Sequence, residues 1–163
     1  MNSSEFRAAL GQFATGVCLV TVNDAASGPI ALTANSFSSV SLTPPLVLWS
    51  LQNSSECFQE FTGNQHFGLS VLGMAHESHS NHYARQDQHE INAQDFVIDQ
   101  DGVPLFTEAV ATFSCRLWAV HEAGDHHVII GEVMRFASTS QPPLIFHGGC
   151  YRQLAPSLLQ ASA

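Results

Sequence analysis

Lysine is absent from the 163-residue chain, and its positive charge rests on five scattered arginines, Arg7, Arg85, Arg116, Arg135 and Arg152. Against fourteen acidic residues they leave a formal net charge of −9 with histidine neutral. Nucleic-acid affinity comes mainly from clustered Lys and Arg that neutralise phosphates. No such cluster exists, so neither nucleic acid nor an anionic membrane surface is an expected partner. Long apolar runs are missing too: none approaches the roughly 20 residues that span a bilayer. No basic stretch followed by an apolar one marks a signal peptide at the amino terminus. A soluble, cytoplasmic protein is expected. The four cysteines, Cys18, Cys57, Cys115 and Cys150, contain no C-x-x-C pair, which points to reduced, mostly core-filling thiols. The P-loop, the G-x-G-x-x-G fingerprint, the G-x-S-x-G elbow and the H-E-x-x-H zinc motif are all lacking. With them go the usual homes for ATP, dinucleotides, hydrolase nucleophiles and protease zinc.

What is present suits one globular domain over residues 1–163, with 45% hydrophobic and only 12% charged residues. So few charges hint at surface covered by a second subunit. Phe6, Leu10 and Phe13 recur at helical spacing behind Ser3-Ser4-Glu5, predicting a helix closed by Gly16. Strands are expected at 17–22, 30–35, 46–51, 67–72 and 109–120, with 128–136 returning across a turn at Glu122-Ala123-Gly124-Asp125, and a short last one at 144–146. Helices are expected after Ser54-Ser55 and over 76–85, with a loop from Gln86 to Gln94. Many strands, close turns and two or three short helices argue for a small, mainly β, antiparallel barrel.

The most unusual stretch runs from Leu32 to Leu46, where Ser, Thr and Asn sit among small neighbours before Pro44-Pro45. Such side chains offer donors and acceptors without bulk and leave main-chain groups accessible, as a planar, heteroatom-rich ligand requires. An ordinary Ser/Thr-rich loop has the same composition. Ser54 and Ser55 precede an expected helix, whose free N–H groups would attract phosphate. His76, His79 and His82 span roughly 120° of a helix. No cysteine or carboxylate cluster accompanies them, so a solvated, pH-sensitive helix and no metal are expected.

Four motifs in order resemble the short-chain flavin reductases, the split-barrel reductases of two-component monooxygenases. They are Phe6-Arg7-x-Ala9-Leu10-Gly11-x-Phe13-Ala14-Thr15-Gly16-Val17; Thr33-Ala34-Asn35-Ser36-Phe37-x-Ser39-Val40-Ser41-Leu42-x-Pro44-Pro45-Leu46; Gly124-Asp125-His126; and Pro143-Leu144-Ile145-Phe146-His147-x-Gly149-x-Tyr151. The resemblance covers about Phe6 to Leu154. It implies a homodimer of six-stranded antiparallel Greek-key split barrels with flavin near the subunit interface. It further implies reduction of FMN, or possibly FAD, by NADH, or possibly NADPH, with reduced flavin passing to a flavin-dependent monooxygenase component. By the same resemblance, Thr33, Ala34, Asn35 and Ser36 line the isoalloxazine and Ser39, Val40 and Ser41 continue that wall. Ser50 and Leu51 then meet the ring edge or ribityl chain, and Ser54 and Ser55 the phosphate. His126, the expected catalytic-site residue, and more weakly Tyr151, fall on the nicotinamide side.

The family's basic residue near the flavin phosphate has no counterpart in Gln52-Asn53-Ser54-Ser55-Glu56-Cys57. A distant arginine such as Arg85 or Arg7 is therefore expected to serve, and NADH is favoured over NADPH. The alternative reading is a carrier of the same fold that keeps FMN as a prosthetic group. A dimeric module for another planar ligand, such as haem, is a further alternative.

Overall fold

A computed structural model describes residues 2–155. Helix α1 (Ser3–Leu10) is followed by strands β1 (Thr15–Gly16), β2 (Cys18–Asp24), β3 (Gly28–Ala34), β4 (Ser38–Leu42) and β5 (Pro45–Gln52). Helix α2 (Phe58–Gly63), β6 (His66–Val71), a 3₁₀ turn at Met74–His76 and α3 (Glu77–Tyr83) come next. The chain then runs through β7 (Phe96–Ile98), β8 (Pro104–Phe106), β9 (Ala111–Ala123), β10 (His126–Ser138), β11 (Ile145–His147) and β12 (Cys150–Arg152). The main sheet is antiparallel in the order β3-β2-β6-β9-β10-β5-β4. Among the described residues no helix is long and apolar enough to cross a membrane.

The sheet curls on itself. Cys18, Val20, Val22, Leu32, Val47, Trp49, Phe67, Leu69, Cys115 and Ile129, drawn from six different strands, share one buried cluster. In a flat sheet β5 and β6, three strand spacings apart, would lie about 14 Å from each other. Yet the rings of Trp49 and Phe67 are 6.3 Å apart, and Phe61 of α2 stands edge-on to Trp49 at 5.3 Å. Two register shifts in the β9–β10 hairpin, at Trp118 and Met134, provide bulges that bend it. Gly131 lets the hairpin pass beneath Phe67, since a Cβ there would collide with that ring.

Strand β2 is buried on both faces. Leu19 on its other side, with Val17 just before the strand, packs with Ala31, Leu72, Tyr83, Phe96, Phe106 and Leu144 in a second cluster beneath α3 and the β7–β8 hairpin. The buried hydroxyls of this layer are bonded: Thr21 donates to the Pro104 carbonyl, and Ser70 Oγ accepts the Phe106 N–H at 3.1 Å.

The main sheet has seven strands where six were expected. The additional one, β4, forms from Ser38-Ser39-Val40-Ser41-Leu42, whose serines carry no strand signal. It forms because the Pro44-Pro45 turn folds it back along β5, from Ser38 opposite Leu48 to Leu42 opposite Pro45. The short hairpin β7–β8 and strand β12 were likewise not expected, being made of three-residue strands. Helix α1 is capped by Asn2 and ends at Gly11 rather than Gly16. Helix α2 starts three residues later than Ser55, because the Ser55 carbonyl and hydroxyl are taken by the N–H groups of Phe58 and Cys57 in the preceding turn. Cys18, Cys57 and Cys115 are buried, and burial pushes the thiols of Cys18 and Cys115 up to about 12. Cys150 is exposed.

Candidate functional site

A cleft of about 370 Å³ opens where the end of β3, the end of β5, the loop after α3 and the β9–β10 turn meet. Nine of the residues singled out in the sequence line it: Thr33, Ala34, Asn35, Ser36, Ser50, Leu51, Ser54, Ser55 and His126. Three segments far apart in sequence, around 35, 53 and 126, are thereby brought to one place.

Strand β3 is an edge strand, and this decides the cleft's chemistry. Its outer side is occupied by the chain at 89–91, where Ala31 N–H donates to the His89 carbonyl at 2.8 Å and Ile91 N–H to that of Pro29 at 3.3 Å. Beyond Ala31 this pairing stops. Strand alternation then points the Thr33 N–H and C=O to the same unpaired side. The hydroxyls beside them divide into two kinds. Thr33 Oγ1 donates to the Ser80 carbonyl at 2.7 Å, and Ser36 Oγ accepts the Ser50 N–H at 2.9 Å while donating to the Ser50 carbonyl. These two brace the wall. Asn35, Ser50 and Ser54 make no side-chain hydrogen bond among the described residues and are free for a ligand.

His126 stands at the far end, on the strand just after the two-residue turn Gly124-Asp125, where Gly124 takes the positive φ such turns require. Its Nδ1 lies 2.7 Å from Asp125 Oδ1. The His126 contact holds the Asp125 carboxyl below the ordinary aspartate range. With Nδ1–H donating to this carboxylate, Nε2 of a neutral ring is left as an acceptor. Asn53 fixes the turn against β5: its N–H donates to the Asp125 carbonyl at 2.9 Å and its amide to the Gly124 carbonyl at 3.0 Å. Its Oδ1 accepts from Nδ1 of His127, which turns away from the cleft onto Phe58.

The third wall, Tyr83, Ala84, Arg85, Gln86 and His89, carries charge. Arg85 faces the same space as Ser54 and Ser55 and supplies the cation that their own segment lacks. Glu56 and His89 were missed in the sequence, because each gains its place only through contact across the cleft. The cue of a helix N-terminus behind Ser54-Ser55 does not hold: α2 has six residues and its first turn begins at Phe58.

Four of the residues singled out lie elsewhere. Ser39, Val40 and Ser41 are on β4, the exposed edge strand. Tyr151 packs on Phe146, and its hydroxyl meets Ser80 Oγ at 2.8 Å and Asn81 Oδ1 at 3.2 Å. His76, at the end of the 3₁₀ turn, and His79 of α3 meet edge-on with ring centroids 5.5 Å apart, both against Phe106. His76 is buried against Phe106 with Nε2 2.9 Å from Glu108, not solvated as expected; His79 turns to Asp95 at 3.7 Å. Among the described residues no three His, Cys, Asp or Glu converge in a way that could hold a metal ion.

Comparison with known proteins adds a second line of observation. Residues 10–155 match the model of the flavin reductase like domain family. The chain is 44% identical over 150 residues to the NADH-using FMN reductase SmoA of Agrobacterium fabrum, covering 92% of this chain and 85% of that one. It is 32% identical over 157 residues to HsaB, the reductase subunit of a flavin-dependent monooxygenase of Rhodococcus jostii, covering 96% and 80%. Some relatives are about twice as long, the match spanning 47% of their length. Among solved structures it is similar to the NADH:FAD oxidoreductase SgcE6 of Streptomyces globisporus in complex with NAD and FAD fragments. That match has a TM-score of 0.91 and 35% identity over 96% of this chain and 95% of the other.

Proposed function

From the flavin reductase-like family, to which this chain belongs, we infer that the protein is an NAD(P)H-dependent flavin reductase supplying reduced flavin to a monooxygenase component. The observation that carries this reading is the convergence of the β3 edge, Ser50, Ser54, Arg85 and His126 on one cleft. The residues fit a flavin. Small walls admit a planar ring, the edge groups of Thr33 and the amide of Asn35 suit its heteroatoms, and Ser50 and Ser54 suit ribityl hydroxyls. Arg85 with Ser55 suits a phosphate. FMN is the first expectation and FAD the second.

Bound flavin and NADH together supply hydride transfer from nicotinamide C4 to flavin N5, which needs no protein base. The protein's work is orientation. His126 offers Nε2 as an acceptor for the nicotinamide carboxamide, with Asp125 and Asn53 holding ring and turn in place. One cleft arginine, already assigned to the flavin phosphate, leaves little to recognise the extra phosphate of NADPH, so NADH is favoured.

The architecture is read as a six-stranded Greek-key split barrel, β3-β2-β6-β9-β10-β5, extended at one edge by β4, and as a single domain. A homodimer is supported by apolar side chains that this chain leaves uncovered. Helix α1 buries none of its residues, and Leu42 of β4, Trp118 of β9 and Phe136 of β10 are exposed. Ser39, Val40 and Ser41 belong with that surface. A cytoplasmic location accords with the absence of lysine clusters and apolar runs.

The test is NADH oxidation at 340 nm with FMN or FAD added in catalytic and then excess amounts. Saturable turnover dependent on free flavin is the expected result. Flavin that binds without turnover overturns the reductase reading; a single turnover of tightly held, co-purified flavin turns it into the prosthetic-group alternative.

A further inference from the structure

His89 sits on the charged wall of the cleft with both ring nitrogens engaged. Its Nδ1 is 3.2 Å from the main-chain oxygen of Ala31, and its Nε2 is 3.2 Å from Oε2 of Glu56. A carbonyl and a carboxylate only accept, so both nitrogens can donate together only when the ring is an imidazolium. A neutral ring would keep one of these bonds and set a bare lone pair against the acceptor of the other.

The same Glu56 oxygen accepts the N–H of Asp87 at 2.9 Å. Asp87 holds a left-handed backbone, φ 57, which turns the loop between Arg85 and His89. Glu56 follows Ser54-Ser55 directly in sequence, and Arg85 lies two residues before Asp87. One carboxylate thus ties the serine side of the cleft to the loop that carries its arginine. The titratable and charged groups lining the same cleft are Glu56 from the segment before α2, Tyr83 from the end of α3, Arg85 of the loop and, at the far end, His126 beside the β9–β10 turn. Asp87 and Glu90 adjoin His89 in its own loop, and β3 contributes only main chain.

We propose that Glu56 and protonated His89 form a latch that positions Arg85 for the flavin phosphate, making flavin binding pH-dependent while leaving NADH binding outside its control. This rests on the flavin reductase reading of the cleft. The sign follows from the bonds: the latch needs the ring doubly protonated, so it is closed at low pH and released at high pH, once one ring proton is gone. His89 is a positioning residue; it acts through Arg85.

The experiment measures the KM for FMN and for NADH from about pH 6 to about pH 8.5 in wild type, His89→Gln, His89→Leu and Glu56→Gln. In wild type the FMN KM should rise about tenfold across this range, as expected for loss of a charge-assisted hydrogen bond. His89→Gln can still donate to Glu56 but cannot titrate, so its FMN KM should stay near the low-pH wild-type value and be flat. His89→Leu should be weak and flat at every pH, and Glu56→Gln should lose most of the slope. A wild-type slope that persists in His89→Gln overturns the proposal, as does a slope of equal size in the NADH KM. Ring ¹⁵N NMR shifts of wild type at pH 6, assigned by the signal lost in His89→Gln, should report both nitrogens protonated; a neutral ring there also overturns it. Because NMR reads His89 without turnover, a charged His89 in a protein that oxidises no NADH would refute the reductase reading and not the latch bonds.

Discussion

The walls of the cleft differ in how they are made. The β3–β5 wall is built from small side chains whose hydroxyls are partly spent on structure. Thr33 is tied to Ser80 and Ser36 is spliced into Ser50, behind which lies the barrel interior with Trp49 completely buried. The opposing groups, Arg85 and His89 on one loop and His126 beside one turn, are charged or titratable and sit on short connections held by a few hydrogen bonds each. The first wall gains rigidity from the fold; the second gains its geometry from Glu56, Asn53 and Asp125. Substitutions behind the first wall should therefore cost stability, and substitutions in the second should change substrate constants with the fold intact.

The largest effect is expected from Trp49→Ala, which empties the contact between β5, α2 and β6. It should lower stability by about 3–5 kcal/mol, read as a fall in the chemical-denaturation midpoint. Arg85→Ala should raise the flavin KM about 10- to 100-fold, the range for removing a hydrogen bond to a charged group, with the melting temperature unchanged. His126→Ala should raise the NADH KM about two- to tenfold, as befits one neutral hydrogen bond, and leave flavin affinity alone.

The smallest effect lies far from the cleft, at Arg135, Asp99 and Asp101. Burial pushes the Asp99 carboxyl up, but bonds from Ser114, Arg135 and the N–H groups of Val103 and Asp101 outweigh it and hold it at about 2. A depressed carboxyl stabilises the fold above the ordinary aspartate range, and this contribution is lost as pH falls through about 4 towards about 2. Arg135→Met should lower the melting temperature slightly near neutral pH, as for a solvent-screened ion pair, and shorten the acid limb of the melting-temperature curve.

The same contrast explains what could be read from the sequence. The first wall is local: Thr33-Ala34-Asn35-Ser36 and Ser50-Leu51 carry their chemistry in contiguous residues, and the strands bearing them show in their apolar runs. Gly124-Asp125-His126 was legible because a turn announces itself. The second wall's remaining residues come from a polar loop without periodicity. Glu56 reads as a departure from pattern until the fold sets it opposite Asp87 and His89. Ser39, Val40 and Ser41 were placed in the expected site by the resemblance, yet the backbone bends at Asn35 and they lie on β4 at the sheet edge. Tyr151 sits behind the wall, linked to it through Ser80.

The division of labour between the walls is tested most directly by initial rates over a grid of NADH and FMN concentrations for wild type, Arg85→Ala, His126→Ala and the double variant. The expected result is that Arg85→Ala moves only the FMN constant, His126→Ala only the NADH constant, and the double variant carries both shifts at their single-variant sizes. A change in both constants from either single variant, or shifts that fail to combine, would contradict it.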